Sequence, residues 1–587
     1  MINNNRDQRL RRLRANPNPD VLVIGGGING IGVFRELALQ GIDVVLLERS
    51  DYCAGASGAP SRMIHGGLRY METGEFRLVR ESLAERNRLL KNAPHYVAPL
   101  PTTVPIFEWF SGMGNALMRL LGRSQRPSRR GALIIKTGLV LYDLFTRKNR
   151  VMPRHRFRSR SDSLARWPDL HPEIRCTATY YDASITYPER LGIEMIADAE
   201  AAHDGAVALN YAGAASVEGD GVVLEDHLGD QRLTLHPKVV INATGAWIDL
   251  TNRSLTPTAQ GRQAMIGGTK GSHLVVANDR LRRALDGHMV YYENHEGRVC
   301  ILFPYFDHVL VGSTDLKVET PEGVCCDDAE RDYILRSLRY VFPDIEIRPE
   351  EILYTFSGVR PLANKDAATT GQLSRDHECR EVSAKYGLPF PLLCMIGGKW
   401  TTFRSFGEQV ADRVLDYLGR PRRCHTRDRA IGGGAAFPES RAARTEWARE
   451  LADASGLDVA HAQRLTDRYG SRAVALARYM AEGSDSPLAA APAYTRREMR
   501  WLIEHEQAET LDDLVARRTC LAINGDVSMD VLVELAGILG ECRGWSAEQR
   551  RWAVDACVEK LWRLNRVSTA TLRNRNKAEE SDNVQYA

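Results

Sequence analysis

The chain of 587 residues lacks any cysteine pattern that would hold it together. Its 11 cysteines fall without CxxC or Cys/His ligand spacing, and Cys325-Cys326 is an adjacent pair rather than a metal motif. This argues against a zinc site or a disulfide scaffold and predicts reduced thiols in a cytoplasmic compartment. One-sided charge is also lacking. Against 78 Lys+Arg stand 75 Asp+Glu, and the net +3 is too small to predict nucleic acid as a partner. No stretch reaches the roughly 18 uncharged apolar residues that span a bilayer. The nearest, from Gly131 to Phe145, is broken by Lys136 and Asp143. No apolar run precedes the first expected strand, so no secretory signal is expected. Internal repeats are absent as well.

What is present is an ordinary globular composition, 43% hydrophobic and 26% charged, on a chain long enough for two or three domains. Val21-Leu-Val-Ile24 runs into Gly25-Gly-Gly27-Ile-Asn29-Gly30, and Val44-Val-Leu-Leu47 ends on Glu48. This predicts a dinucleotide-binding βαβ unit. Gly25 permits the tight turn, Gly27 lets amides approach a pyrophosphate, and Gly30 lets the helix pack on the strand. The pyrophosphate then lies at the positive end of a helix dipole, while Glu48 accepts the ribose hydroxyls.

Further along, the Gly/Ala/Ser loop Cys53 to Arg62 and the run His65-Gly66-Gly67-Leu68-Arg69-Tyr70 offer small residues that allow close ligand approach. Helical spacing is read over Glu75 to Leu90, Leu191 to Ala202 and Phe406 to Leu418. His288 to Asp315 reads as antiparallel strands, which marks a second domain inserted into the first. Leu100 to Arg150 reads either as a buried element of that domain or as a membrane-facing patch. Capping boxes at Thr495-Arg-Arg-Glu498 and Ser546-Ala-Glu-Gln549 belong to a helical C-terminal domain.

The expected organisation is α/β. A disordered extension (1–19) precedes an oxidoreductase region (20–425), with nucleotide-binding segments at 20–75, 190–260 and 350–425 and substrate segments at 76–189 and 261–349. A helical domain (430–573) and a disordered tail (574–587) follow. The basic clusters Arg6, Arg9, Arg11, Arg12, Arg14 and Arg123, Arg126, Arg129, Arg130 are read either as solvated surface or as contacts to anionic lipid.

One nucleotide site does not choose between nicotinamide and flavin. The strand-to-helix turn Gly397-Gly398-Lys399 favours flavin, because it offers backbone donors and a helix dipole where a reduced flavin gathers negative charge. Arg69, His273, Arg360, Arg375 and Lys399, all at loop or strand ends, together suggest an anionic substrate, since guanidinium groups grip phosphate bidentately.

The motifs Gly25-Gly-Gly-Ile-Asn-Gly30, His65-Gly-Gly-Leu-Arg-Tyr70, Asn242-Ala-Thr-Gly245, Lys270-Gly-Ser-His273, Gly312-Ser-Thr-Asp315, Tyr354 to Leu362 and Gly397 to Arg404 occur in series. In this series the chain resembles the FAD-dependent, aerobic glycerol-3-phosphate dehydrogenases over roughly residues 20 to 560. The resemblance extends to Arg468 to Ser471, Glu504 to Glu506 and Ala516 to Thr519 in the tail.

It implies a glutathione-reductase-like FAD-binding Rossmann domain, an inserted antiparallel-sheet substrate domain and a C-terminal α-helical domain. The implied activity is oxidation of sn-glycerol 3-phosphate to dihydroxyacetone phosphate, with electrons passed to membrane quinone. The implied place is the inner face of the cytoplasmic membrane, as a peripheral protein. Carried over by motif, FAD would lie against Gly25, Gly27, Asn29, Gly30, Glu48, Ser57, Ser61, His65, Gly66, Gly67, Thr244, Gly245, Gly358, Gly398, Lys399 and Thr401. Arg375 and Lys399 would hold the phosphate, beside Arg69 and Tyr70.

His273, with an unperturbed pKa near neutrality, is expected as the base, and Arg360 as the stabiliser of the developing alkoxide. The chain departs from the family at the loop Gly55-Ala-Ser-Gly-Ala-Pro60, usually Ser/Thr-rich, at Arg62 where Lys is common, and in a longer stretch from Trp109 to Arg130. Another polyol phosphate such as erythritol phosphate, a D-amino-acid-oxidase-like amine oxidase and a non-enzymatic FAD-binding subunit stay open as alternatives. So does a homodimer.

Overall fold

A computed structural model describes residues 6–67, 75–111, 131–147, 151–255, 264–294, 296–364, 376–382 and 387–584. Arg69, Tyr70 and Arg375 lie outside the described residues, as does the basic cluster from Arg123 to Arg130.

Short runs of β-branched and leucine side chains pair into a six-stranded sheet. Its order is Glu378–Glu381, Leu392–Ile396, Val239–Asn242, Val21–Ile24, Val44–Leu47, Ala206–Leu209. All pairs are parallel except the first. The five parallel strands are buried on both faces, which is why they read as continuous apolar runs, whereas the antiparallel edge strand Glu378–Glu381 is polar and exposed or half-buried. On one face Val21, Val23, Leu46 and Ile241 pack on the helices Ile28–Leu39, Pro188–Ala202 and Phe403–Leu418. On the other, Leu22, Ile24, Val45 and Val240 meet a three-stranded sheet through Val222 and Leu224, and the N-terminal helix through Leu10 and Leu13.

That helix, Arg6–Ala15, corrects the expected disorder of residues 1–19. Its flanks carry the Asn and Pro residues, while the helix itself is rich in Arg and Leu, which favour helix. It is held down because Arg6 pairs with Asp226 and donates to the Asn210 carbonyl at 2.6 Å. Arg9 pairs with Glu200 and donates to the Ala208 carbonyl at 2.8 Å. Both guanidinium groups are buried, so neither belongs to a surface cluster facing lipid. The opposite end needs a similar correction. The last helix, Thr569–Val584, runs through most of the expected disordered tail, and Arg575 donates to the carbonyls of Val527 and Leu353 at 3.0 and 2.9 Å.

The second sheet has ten strands. Its spine runs Leu316–Lys317, Ile266–Val276, His308–Gly312, Val299–Tyr305, Met289–Glu293, Val97–Ile106, Cys176–Ile185, Met63–Ile64. Ile352–Ala363 pairs antiparallel with Ile266–Val276, so this segment belongs to the substrate sheet and not to the nucleotide-binding part. Met63–Ile64 makes the same crossing. Val97–Ile106 is likewise a sheet strand, whereas the following helix Ala132–Thr146 leaves Leu133, Val140, Leu141 and Leu144 exposed. Among its described residues, the stretch read two ways therefore contains a buried strand and an apolar surface helix.

Helices from Arg441 onward cap one face of this sheet, where Phe303, Tyr354 and Phe356 join Leu502, Leu514 and Leu535 in one core. Ser546 and Gln549 form the reciprocal capping box expected, while Thr495 caps Glu498 in one direction.

Candidate active site

The two sheets and the C-terminal cap enclose a cavity of about 2040 Å³, larger than the roughly 300–1,000 Å³ that a single drug-sized ligand requires. One end is the turn after Val21–Ile24. Gly25 has φ +108°, and a Cβ there would lie 2.8 Å from the backbone of Ala243 and Thr244. A Cβ on Gly30 would lie 1.9 Å from the Gly25 carbonyl oxygen. Gly30 thus serves helix-on-strand packing and lies off the cavity wall, whereas Gly25, Gly27 and Asn29 are on it.

Glu48 accepts the Gly26 N–H at 2.7 Å on one oxygen and the Ser50 N–H at 2.8 Å on the other. Burial pushes its pKa up and these two amides oppose that. Each oxygen keeps a lone pair for a ribose hydroxyl. Ser57 accepts the Ile28 N–H at 2.9 Å, which ties the small-residue loop to the helix start.

In the middle of the cavity, Asn29 donates to the Gly397 carbonyl at 3.1 Å, and a Cβ on Gly398 (φ +88°) would fall 2.4 Å from the Asn29 amide nitrogen. The two glycine turns therefore interlock. Thr401 accepts the His65 N–H at 3.3 Å. Thr244, Gly245, Gly67, His65, Gly358, Gly398 and Thr401 all line the cavity. Gly66 does not. Its N–H donates to the Asp182 carboxylate at 2.8 Å, and a Cβ would strike the Tyr142 hydroxyl, so its smallness is required for packing.

The donors suit a flavin dinucleotide. The helix start at Gly27 has no cap from its own N-cap residue, and among the described residues the Asn29 side-chain oxygen and the Trp247 indole N–H are buried with no hydrogen-bond partner. Such orphan groups call for a ligand or water.

The other end is built from side chains. His273 on Ile266–Val276 is buried, stacks on Phe356 with centroids 5.0 Å apart, and meets the Ser61 hydroxyl through Nε2 at 2.8 Å. Its pKa is pushed down to about 3 by burial, then by the positive charges of Arg360 and Arg62. The expectation of a near-neutral pKa is thus corrected: the imidazole is neutral across the physiological range.

Arg360, on the neighbouring strand, donates to Asp315 at 3.1 Å and to the Ser313 hydroxyl at 3.2 Å. Its guanidinium occupies the space a side chain at Gly271 would need, since a Cβ there would lie 2.1 Å from Nη2. Lys399 reaches the cavity and donates to the Ser82 hydroxyl at 2.8 Å.

Sequence reasoning did not assign roles to Gly271, to Arg62, or to the cap residues Asp512, Arg517, Lys560 and Arg563 on the cavity wall. The Lys270-Gly-Ser-His273 and Ala516 to Thr519 motifs carried part of that signal. Arg517 and Arg518 converge on Asp51, at 2.5 and 2.7 Å. Burial raises the Asp51 pKa, but Arg518 and Arg517 together hold it well below the usual carboxylate range. This joins the cap to the loop beside Glu48.

Residues 20–404 match the family described as FAD dependent oxidoreductase, and residues 424–550 the C-terminal domain of alpha-glycerophosphate oxidase. A glycerol-3-phosphate dehydrogenase of Synechocystis sp. is 32% identical over 550 residues, covering 90% of this chain and 94% of the relative. A D-erythritol 1-phosphate dehydrogenase of Brucella abortus is 30% identical, covering 85% and 94%. The fold matches the crystal structure of the glycerol-3-phosphate dehydrogenase from Bacillus halodurans complexed with FAD, with TM-score 0.73 and 24% identity over 95% of this chain and 97% of that one.

Proposed function

The chain belongs to the FAD-dependent oxidoreductases of the glycerol-3-phosphate dehydrogenase family, and we propose that it oxidises sn-glycerol 3-phosphate to dihydroxyacetone phosphate. The observation that carries this reading is one cavity holding both the glycine-turn nucleotide end and the His273–Arg360–Lys399 end.

Bound FAD supplies a hydride acceptor for the C2 hydrogen. The protein's own groups do the rest. Lys399, with Arg375 and Arg69, holds the phosphate. Arg360, oriented by Asp315 and Ser313, stabilises charge developing on the C2 oxygen. His273, kept neutral by its surroundings, can act as the base for the hydroxyl proton through Nε2, which faces the Ser61 hydroxyl. A bound phosphate dianion would offset the charges of Arg360 and Arg62 and make the imidazole a stronger base as substrate arrives.

Among the described residues no helix is long and apolar enough to cross a membrane. The exposed Leu133, Val140, Leu141 and Leu144 continue onto exposed Trp109 and Phe110, with the Leu133 N–H bonded to the Trp109 carbonyl. An apolar patch of this kind supports peripheral attachment to a lipid surface, where a quinone would take the electrons.

The test is anaerobic bleaching of the flavin by phosphorylated polyols. sn-Glycerol 3-phosphate should bleach it at the lowest concentration. The Brucella abortus relative favours erythritol phosphate as the second reading, and bleaching by that compound alone would move the assignment there. Bleaching by D-amino acids and by no phosphate would overturn both.

A further inference from the structure

We propose that the Ser61 hydroxyl relays the substrate's alcohol proton to His273, a role that rests on the polyol-phosphate reading of the site. Ser61 is half-buried on the cavity wall and its Oγ stands 2.8 Å from His273 Nε2. The other ring nitrogen, Nδ1, is buried and has no hydrogen-bond partner among the described residues. As placed, the ring presents Nε2, not Nδ1, to the hydroxyl on the cavity wall. Phe356 stacks on one side, and the Gly312 backbone is so close that a Cβ there would lie 2.3 Å from Cδ2. A proton from the cavity therefore enters at Nε2, and the group on Nε2 is Ser61.

The hydroxyl is aimed by its neighbour. Arg62 has φ +53°, an uncommon backbone for a non-glycine residue. It is held there by paired bonds to Glu189 at 2.9 and 3.2 Å and by the Tyr305 ring, 5.0 Å beneath its guanidinium. Met63–Ile64 then pairs with Ala183 and Ser184. Ser61 thus leads directly into a pinned segment, so its hydroxyl has little freedom to leave Nε2.

The charged groups facing the ring are Arg360 from the adjoining strand and Arg62 from the loop, balanced in turn by Asp315 and Glu189. They favour the uncharged imidazole; in the tautomer the relay requires, the proton is on Nδ1 and the Nε2 lone pair accepts from Ser61. In the relay, the substrate O–H bond breaks as Oγ gains that proton, and the Ser61 O–H bond breaks as Nε2 gains the second. The C2–H electron pair leaves as hydride to the flavin that the proposed oxidation already requires. No further reactant is needed.

Two measurements on the holoenzyme test this. With ¹⁵N-labelled histidine and His273→Gln for assignment, NMR should show His273 neutral with the proton on Nδ1 from pH 8 to 5, and Ser61→Ala should shift Nε2. An imidazolium at pH 7, or the proton on Nε2, would overturn the relay. In anaerobic flavin reduction by sn-glycerol 3-phosphate, Ser61→Ala should slow the step by about 100-fold or more, flatten its solvent deuterium effect, and be largely rescued by Ser61→Thr.

A flavin-loaded Ser61→Ala enzyme within threefold of the parent, with the same isotope effect, would sink the proposal while leaving the polyol-phosphate reading intact. A parent enzyme that no polyol phosphate reduces would sink that reading and the relay with it. Should Ser61→Ala fail to hold flavin, the proton inventory of the parent decides: curvature supports two protons in motion, and a straight line rejects them.

Discussion

Where the cavity meets Val21–Ile24 its polar contacts are mainly backbone, and where it meets Ile266–Val276 they are mainly side chain. At the nucleotide end Glu48 is held by the amides of Gly26 and Ser50, and Ser57 by that of Ile28. At the reactive end Ser61 meets His273, Asp315 meets Arg360 and Ser82 meets Lys399. Backbone donors are indifferent to pH and to most substitutions, and they fail only when the chain path itself is displaced. Side-chain contacts are tunable one at a time. The difference suits a cofactor that stays and a substrate that comes and goes.

The sharpest way to break this contrast is at Gly30. A valine there would drive its Cβ against the Gly25 carbonyl oxygen, 1.9 Å away, with the Ala243 Cβ at 3.2 Å and no flexible group to yield. The expected outcome for Gly30→Val is protein without flavin. Absorbance near 450 nm in the purified protein checks it, and normal loading would show that the turn is more pliant than its packing indicates.

The two ends were also unequally legible in the sequence. The nucleotide end is written locally, since Gly25 to Gly30 and Glu48 lie within one βαβ unit and their roles follow from spacing. At the reactive end the His273 motif is visible but its environment is not. Ser61 is 212 positions away and Arg62 is tied to Glu189, 127 positions on. Nothing local announces that burial will take the imidazole pKa down to about 3. The N-terminal helix shows the same limit. Its arginines look like a solvated cluster because Glu200 and Asp226, which neutralise Arg9 and Arg6, lie 191 and 220 residues further along.

The neutral, buried imidazole makes the reactive end acid-sensitive in a way the nucleotide end is not. A histidine free in the unfolded chain titrates at 6.5, whereas in the folded protein His273 stays neutral to about 3. Below pH 6.5 the unfolded state binds a proton that the folded state refuses, so stability falls as pH drops and keeps falling until about 3. Between pH 6.5 and 4.5 the loss is on the order of 2–3 kcal/mol. His273→Gln cannot take up that proton. Denaturant melts at pH 7 and 4.5 should therefore show a smaller acid loss for the variant, and equal losses would mean the imidazole is not buried in its neutral form.

A milder probe of the same end is Gly271→Ala. Its Cβ would meet only the tip of the Arg360 side chain, at 2.1 Å, and such a tip can move aside. Flavin loading should be unchanged while kcat for polyol phosphate oxidation falls by about 10- to 100-fold, equivalent to about 1.4–2.7 kcal/mol of lost alkoxide stabilisation. A loss of flavin with kcat per flavin preserved would place Gly271 with the cofactor instead.

The smallest effect is expected where the nucleotide end does use a side-chain pair. Arg49 lies over the Trp247 ring at 5.0 Å and reaches Glu322, on a loop of the substrate domain, at 3.2 Å. Both partners are more than half exposed, and pairs of this kind contribute about 0.2–1 kcal/mol in water and less as salt screens them. Glu322→Gln should therefore speed FAD release by no more than about fivefold at low ionic strength, with the difference fading above 0.5 M salt. Release measured by the recovery of flavin fluorescence reads this directly. A much larger acceleration would mean that the loop at Glu322 acts as a clasp over the adenosine end, and that retention there depends on side chains as much as on the glycine turns.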